Sequence, residues 1–233
     1  MTTPGIHVDA PAAEPVRIPA CDALLDGDLA LPRDARGLVL FSHGSGSGRR
    51  SSRNRMVAAR LGEAGLATLL FDLLSTDEQA ADERTSHLRF DIALLAQRLV
   101  GAIDWLGVQA PLRELGLGLF GASTGAAAAM VAAAKRPAQV QAIVSRGGRP
   151  DLAGYALPHV RSPVRLIVGG ADTEVLALNR VAFAELAAAD KELLTVPRAS
   201  HLFVEPGALD VVARLAAEWF ARHLRPRPGV GSL

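Results

Sequence analysis

Short continuous apolar runs alternate along this chain with longer stretches in which apolar residues recur every three to four positions. Gly37 to Ser42, Ala67 to Phe71, Leu115 to Phe120, Val140 to Ser145, Val164 to Val168 and Glu192 to Val196 read as strands. Because these runs are continuous and do not alternate with polar residues, they fit strands covered on both faces, as in a parallel sheet. Helices fit Asn54 to Glu63, Arg84 to Leu106, Thr124 to Lys135, Ala177 to Ala188 and Pro206 to His223, the last with proline in its first turn. Upstream, Val16 to Ile18 and Ala23 to Leu31 make a hairpin around the turn-like Asp26-Gly27-Asp28. This alternation predicts the α/β class: an open doubly wound, mostly parallel sheet of about eight strands flanked by helices. Fewer than about 20 residues separate Ser145 from Val164, too few for an inserted lid domain.

The ends read differently. The Pro/Ala-rich segment 1–15 is expected to be a flexible arm, and 225–233, with its prolines and glycines, a flexible tail, which leaves 16–224 as a single domain without an internal repeat. At 233 residues and 49% hydrophobic content the chain has ample material for one large core. With 25 basic and 24 acidic residues the net charge is +1, so no global field favours nucleic acid or an anionic membrane. Cys21 is the only cysteine, which excludes an internal disulfide and leaves it a structural role. The first residues, MTTPGIHVDAPAAEP, lack the apolar centre of a signal peptide, and the expectation is a cytoplasmic protein whose partner is a small molecule. The oligomeric state is not readable.

The most informative stretch is Leu115 to Lys135, where Gly121-Ala122-Ser123-Thr124-Gly125 lies at the change from an apolar strand to an Ala-rich helix. A serine on such a tight turn holds its hydroxyl clear of the sheet, and the flanking glycines leave room for strained backbone and a neighbouring strand. Two other readings of the stretch fail. Gly116, Gly118 and Gly121 match a dinucleotide fingerprint, but they fall within the strand and no acidic residue follows about 20 positions on. The same stretch is long enough for a membrane span, but its Gly and Ala give too little hydrophobicity per position.

A serine hydroxyl needs a base, and the base an orienting carboxylate, in the chain order Ser, acid, His. Asp172 follows the apolar strand Leu166-Ile-Val-Gly-Gly, and His201 follows Leu193 to Val196 just before the final helix. Both sit where ligands of open α/β sheets collect. Asp151 is the substitute acid, although Arg149-Pro150-Asp151-Leu152 also reads as a helix cap. His7, His87, His159 and His223 take solvent or packing roles. No pair of histidines has metal-ligand spacing with a third ligand nearby, so neither metal nor cofactor is expected.

Charge developing on an attacked carbonyl must meet fixed donors. The backbone N–H of Thr124, at the positive end of its helix, is one; the N–H of Ser45, in the loop Phe41-Ser-His-Gly-Ser-Gly-Ser-Gly48, is the other. That loop lacks the Gly-Lys-Ser/Thr of a phosphate-binding P-loop. His43 and Gly44 are placed beside the substrate. Arg49, Arg50, Arg53 and Arg55 crowd what should be a helix start, where the macrodipole disfavours cations. Arg49 and Arg53, with Arg146 and Arg149 from another strand end, are therefore candidate contacts for a substrate carboxylate or phosphate, against the alternative of a solvated basic face.

His43-Gly44 after a strand, the Ser123 elbow, Asp172 after Gly-Gly and His201 before the last helix together resemble the α/β-hydrolase superfamily across nearly the whole chain. The short, lidless form is most similar to its dienelactone-hydrolase-like branch. That branch's name-giving enzymes carry cysteine at the elbow, and Ser123 here points to an ordinary serine esterase. The resemblance implies acyl transfer from a small ester, lactone or thioester to water. An alcohol or amine acceptor, or a non-catalytic binding module on the same fold, are the other readings.

Overall fold

The computed structural model describes residues 12–227. Eight strands form a single sheet: β1 (Glu14–Ala20), β2 (Ala23–Ala30), β3 (Leu38–Ser42), β4 (Ala67–Phe71), β5 (Leu117–Ala122), β6 (Val140–Arg146), β7 (Val164–Gly169) and β8 (Lys191–Val196). Their order is β1-β2-β4-β3-β5-β6-β7-β8, with β2 antiparallel to both β1 and β4 near one edge and the remaining pairs parallel. The helices are α1 (Ser52–Glu63), α2 (Thr76–Thr85), α3 (Ile92–Leu106), α4 (Thr124–Lys135), α5 (Thr173–Glu185) and α6 (Ala208–His223).

The apolar runs form parallel strands because both faces are covered. In β3, Leu38 and Leu40 join the core beneath α3 and α4, whereas Val39 and Phe41 join the core beneath α1 and α6. Phe41 and Phe120 meet across β3 and β5 with ring centroids 4.9 Å apart, an arrangement that contributes about 0.5–1.5 kcal/mol beyond burial. The run Ala126–Ala129 is fully buried, and small side chains let α4 lie close on the sheet. A Cβ at Gly121 would come within 2.5 Å of the Ala126 Cα, so glycine is required where α4 leaves β5. Between β6 and β7 there is only the 3-10 stretch Pro150–His159, and no large lid is present among the described residues.

Three expectations need correction. The hairpin turns at Cys21-Asp22, with Cys21 at φ 56, and Asp26-Gly27-Asp28 lies inside β2. Gly27 is there for packing: a Cβ would stand 3.0 Å from Val16 Cγ2 and 3.2 Å from Leu69 Cδ1. The expected helix 84–106 is instead α2, a 3-10 turn at Leu88–Phe90, and α3. Ser86 breaks it in a left-handed conformation, and the Asp91 carboxylate caps α3 by accepting from the Leu94 N–H at 3.0 Å. Finally, the sheet already includes Glu14 and Pro15 of the expected arm, and Arg225 and Arg227 of the expected tail donate backbone N–H groups to Gln141 and Glu114. His7 and the remainder of both ends lie outside the described residues.

Candidate active site

The parallel strands all point their C-terminal ends the same way, and the loops leaving β3, β5, β6, β7 and β8 gather there. Ser123 bridges β5 and α4 at φ 51, ψ −124, a conformation that costs a non-glycine residue about 1–3 kcal/mol. Its surroundings hold it there. The Ser123 N–H donates to the Arg146 carbonyl at 3.3 Å, and its own carbonyl accepts from Ala126 and Arg149 at 3.1 and 3.0 Å. Gly44 approaches so closely that a Cβ on it would lie 2.9 Å from the Ser123 Cβ.

Asp172 occupies the N-cap position of α5, yet its side chain makes no capping hydrogen bond. Instead Oδ2 lies 2.7 Å from His201 Nδ1, with the carboxylate only 14% exposed. Nδ1 is thereby occupied, and Nε2 remains as the open ring nitrogen. Two bonds tie the histidine loop to the segment just after β7, Gly170 N–H to Val196 O at 2.8 Å and Ala171 N–H to Ala199 O at 3.0 Å, and a third, Ser200 N–H to Glu205 Oε1 at 3.0 Å, braces the loop on itself. The Ser200 bonds hold the Glu205 carboxyl below its usual range. Gly169 must lack a side chain because the Ala199 and Ser200 carbonyls cross directly over it. Gly147, at φ 50, would place a Cβ 3.6 Å from His201 Nδ1. The peptide joining Arg146 to Gly147 therefore runs between the Ser123 backbone and the His201 ring. Asp151, the substitute acid, is instead bound to Arg149 at 2.8 Å.

The oxyanion candidates also come together, in a way the sequence did not show. Thr124 begins α4, where the first N–H groups have no intrahelical acceptor. The Ser45 N–H points to the same place but donates to the Thr124 Oγ1 at 2.9 Å. Stabilising an oxyanion with it requires sharing that N–H or turning the threonine hydroxyl aside.

The proposed substrate contacts separate into two groups. His43 is buried, its Nε2 accepting from the Leu73 N–H and its Nδ1 set against the Gly44 carbonyl, both at 3.0 Å. It braces the loop and has no ring nitrogen left for a ligand. Burial holds its pKa below the usual value despite the opposing pull of Gly44 and Asp72. Arg49 is likewise spent within the fold: its guanidinium pairs with Asp72, and Asp28 and Asp26 stand at 3.6 and 3.9 Å. Asp72, at the end of β4, also accepts the Arg49 N–H at 2.7 Å. The sequence reading missed this aspartate, whose signal was its place directly after an apolar run. Arg149 is taken by Asp151.

Arg146 and Arg53 remain. Arg146 is 7% exposed, and its Nε and Nη1 find no partner among the described residues, nor does Nε of Arg53. Burial, followed by the nearby charge of Arg53, pulls the Arg146 pKa down to about 10.

No family model matches the chain. A dienelactone hydrolase from Anabaena variabilis, known from its crystal structure, is 57% identical, covering 93% of this chain and 100% of that one with a TM-score of 0.91. The chain belongs to the α/β-hydrolase superfamily, in its dienelactone-hydrolase-like branch. Structures below 25% identity share the fold: Est1E from Butyrivibrio proteoclasticus, 16% identical, covers 91% of this chain and 98% of its own with a TM-score of 0.73. The metagenomic dienelactone hydrolase-like promiscuous phosphotriesterase P91, 20% identical, covers 92% and 99% with a TM-score of 0.75. A curated relative from Mycobacterium tuberculosis strain CDC 1551, called "Putative phosphoribosyl transferase", is 50% identical over 222 residues, 93% of this chain. The chain spans about half (49%) of that relative's length. No helix among the described residues is long and apolar enough to cross a membrane.

Proposed function

We propose that this protein is a serine hydrolase that cleaves a small carboxylic ester, lactone or thioester through an acyl-enzyme on Ser123. The observation that carries the reading is the 2.7 Å contact between His201 Nδ1 and Asp172 Oδ2, formed at the strand ends where the Ser123 turn also lies. With Nδ1–H directed to the carboxylate, Nε2 is the nitrogen able to take the serine proton. Ser123 Oγ then attacks the carbonyl, and the N–H groups of Thr124 and Ser45 receive the oxyanion. His201 passes the proton to the leaving alcohol, which departs. A water deprotonated by the same imidazole then attacks the acyl-enzyme, releasing the acid and restoring Ser123. No step requires a metal or a cofactor.

The hydrolase reading is preferred to a transferase reading because the Anabaena hydrolase is matched along its entire length, whereas the transferase name belongs to a relative this chain covers only by half. A fluorophosphonate probe tests the proposal. Wild-type protein should label at one serine and hydrolyse p-nitrophenyl acetate, and Ser123→Ala should do neither while remaining folded. Labelling that survives the substitution would refute the assignment.

A further inference from the structure

Seven positions after Asp172, two turns along α5, stands Asn179, between Val175 and Ala182 on the buried face of that helix. An apolar residue would continue the stripe, yet an amide fills the position at 0% exposure. Both hydrogens of its nitrogen are used: Nδ2 donates to the Gly148 carbonyl at 2.9 Å and to the Val175 carbonyl, one turn back, at 2.8 Å. Two carbonyl acceptors also settle which amide atom is the nitrogen. Oδ1 is buried without a partner among the described residues, a cost that a residue kept only for packing would not carry.

The acceptor explains the choice. Gly148 is the middle of Gly147-Gly148-Arg149, the segment that leaves β6 and meets both the nucleophile and the base. The Arg149 N–H donates to the Ser123 carbonyl at 3.0 Å. The Gly147 N–H donates to Ile167 of β7 at 2.8 Å, and a Cβ on Gly147 would stand 3.0 Å from the His201 carbonyl. Gly148 is pressed onto the start of α4, where a Cβ would run into Ser145 Oγ and lie 2.5 Å from the Ala126 Cβ. Among the described residues, the Asn179 amide makes the hydrogen bond that joins this segment to the helix capped by Asp172.

We infer that Asn179 is a positioning residue: it ties the loop behind Ser123 to the helix of Asp172 and so sets the spacing between the nucleophile and the acid–base pair. The inference rests on the acyl-enzyme reading of the site. Ser123 Oγ has to come within hydrogen-bond reach of His201 Nε2 for the proton to pass. A displacement of about 1 Å, even one caused by a distant side chain, costs roughly 10²-fold in rate. Asn179 is fully buried and touches no substrate, so its loss falls on kcat and spares KM.

Turnover of p-nitrophenyl acetate and the rate of fluorophosphonate labelling are measured for wild type, Asn179→Leu, Asn179→Ala and Leu106→Ala, at one temperature where all are folded. Leucine fills the volume of the amide without a donor, and alanine leaves a gap. Both changes should lower kcat and the labelling rate about 10²-fold, with KM within about threefold of wild type. Leu106, 4% exposed, lies at the end of α3 that leads to β5, so Leu106→Ala costs core packing and lowers the melting temperature. It should keep the wild-type kcat. A folded Asn179 variant with wild-type kcat and labelling would overturn the proposal while leaving the acyl-enzyme reading intact. An equal loss of kcat in Leu106→Ala would overturn it as well, by assigning the effect to stability. Failure of both Asn179 variants to fold, with Leu106→Ala folded, would place Asn179 in the core alone and have the same result. Wild-type protein that did not label at Ser123 would instead refute the acyl-enzyme reading, and the positioning role with it.

Discussion

Ser123 shows how much of the site one backbone angle holds. Its φ of 51 is kept by the Arg146 carbonyl, the α4 turn and the close approach of Gly44, so the strain belongs to the elbow and not to the hydroxyl. Ser123→Gly should therefore stabilise the fold by about 1 kcal/mol, read by urea denaturation, while removing all probe labelling. His43 makes a second prediction. Its folded pKa lies below the usual 6.5, so under acid conditions the unfolded chain binds a proton that the folded chain refuses. Stability is then full above about pH 6.5 and falls as the pH drops below it. His223, depressed mainly by burial, acts in the same direction, so His43→Gln should flatten the decline of melting temperature between pH 7 and 5 only in part. Asp172 and His201 were legible in the sequence as residue types just past strand ends. The buried, braced role of His43 was not, because it depends on the Leu73 N–H, 30 positions away.

At the scale of elements, the strands were legible and α2 was not. Strands announce themselves by continuous apolar runs, whereas α2, TDEQAADERT, has only Asp82 buried and no apolar stripe. What starts it is a capping box: the Ser75 hydroxyl accepts the Glu78 N–H at 3.3 Å, and the Glu78 carboxylate accepts the Ser75 N–H at 2.8 Å. Glu78 also binds Arg98, which ties the helix start to α3. Ser75→Ala should cost about 1 kcal/mol in chemical denaturation. The hairpin was misplaced for a related reason. Asp26 and Asp28 look like turn residues in isolation, yet within β2 their carboxylates face Arg17, Arg49 and Arg55, and the glycine between them fits a crowded strand face. The same ion pairs answer why arginines precede α1: Arg49 lies ahead of the helix and is neutralised by β2 and β4.

At the scale of the molecule, convergence is set by topology. The chain order of Ser123, Asp172 and His201 was readable, but strand order was not, and it is the adjacency of β5, β6, β7 and β8 that brings three loops to one edge. The sequence offered two acids, and the sheet separates them. Asp172 leaves β7 beside β8, whose loop carries His201, whereas Asp151 follows β6 and is occupied by Arg149. Asp172→Asn should leave the fold intact and lower kcat roughly 10⁴-fold, because an amide at that position no longer fixes the working tautomer or stabilises the imidazolium. Asp151→Asn should instead free Arg149 and change kcat by less than about tenfold, since no reacting atom meets it. A reversal of these two results, with both proteins folded by circular dichroism, would move the acid from β7 to β6 and require His201 to swing away from the carboxylate it now touches.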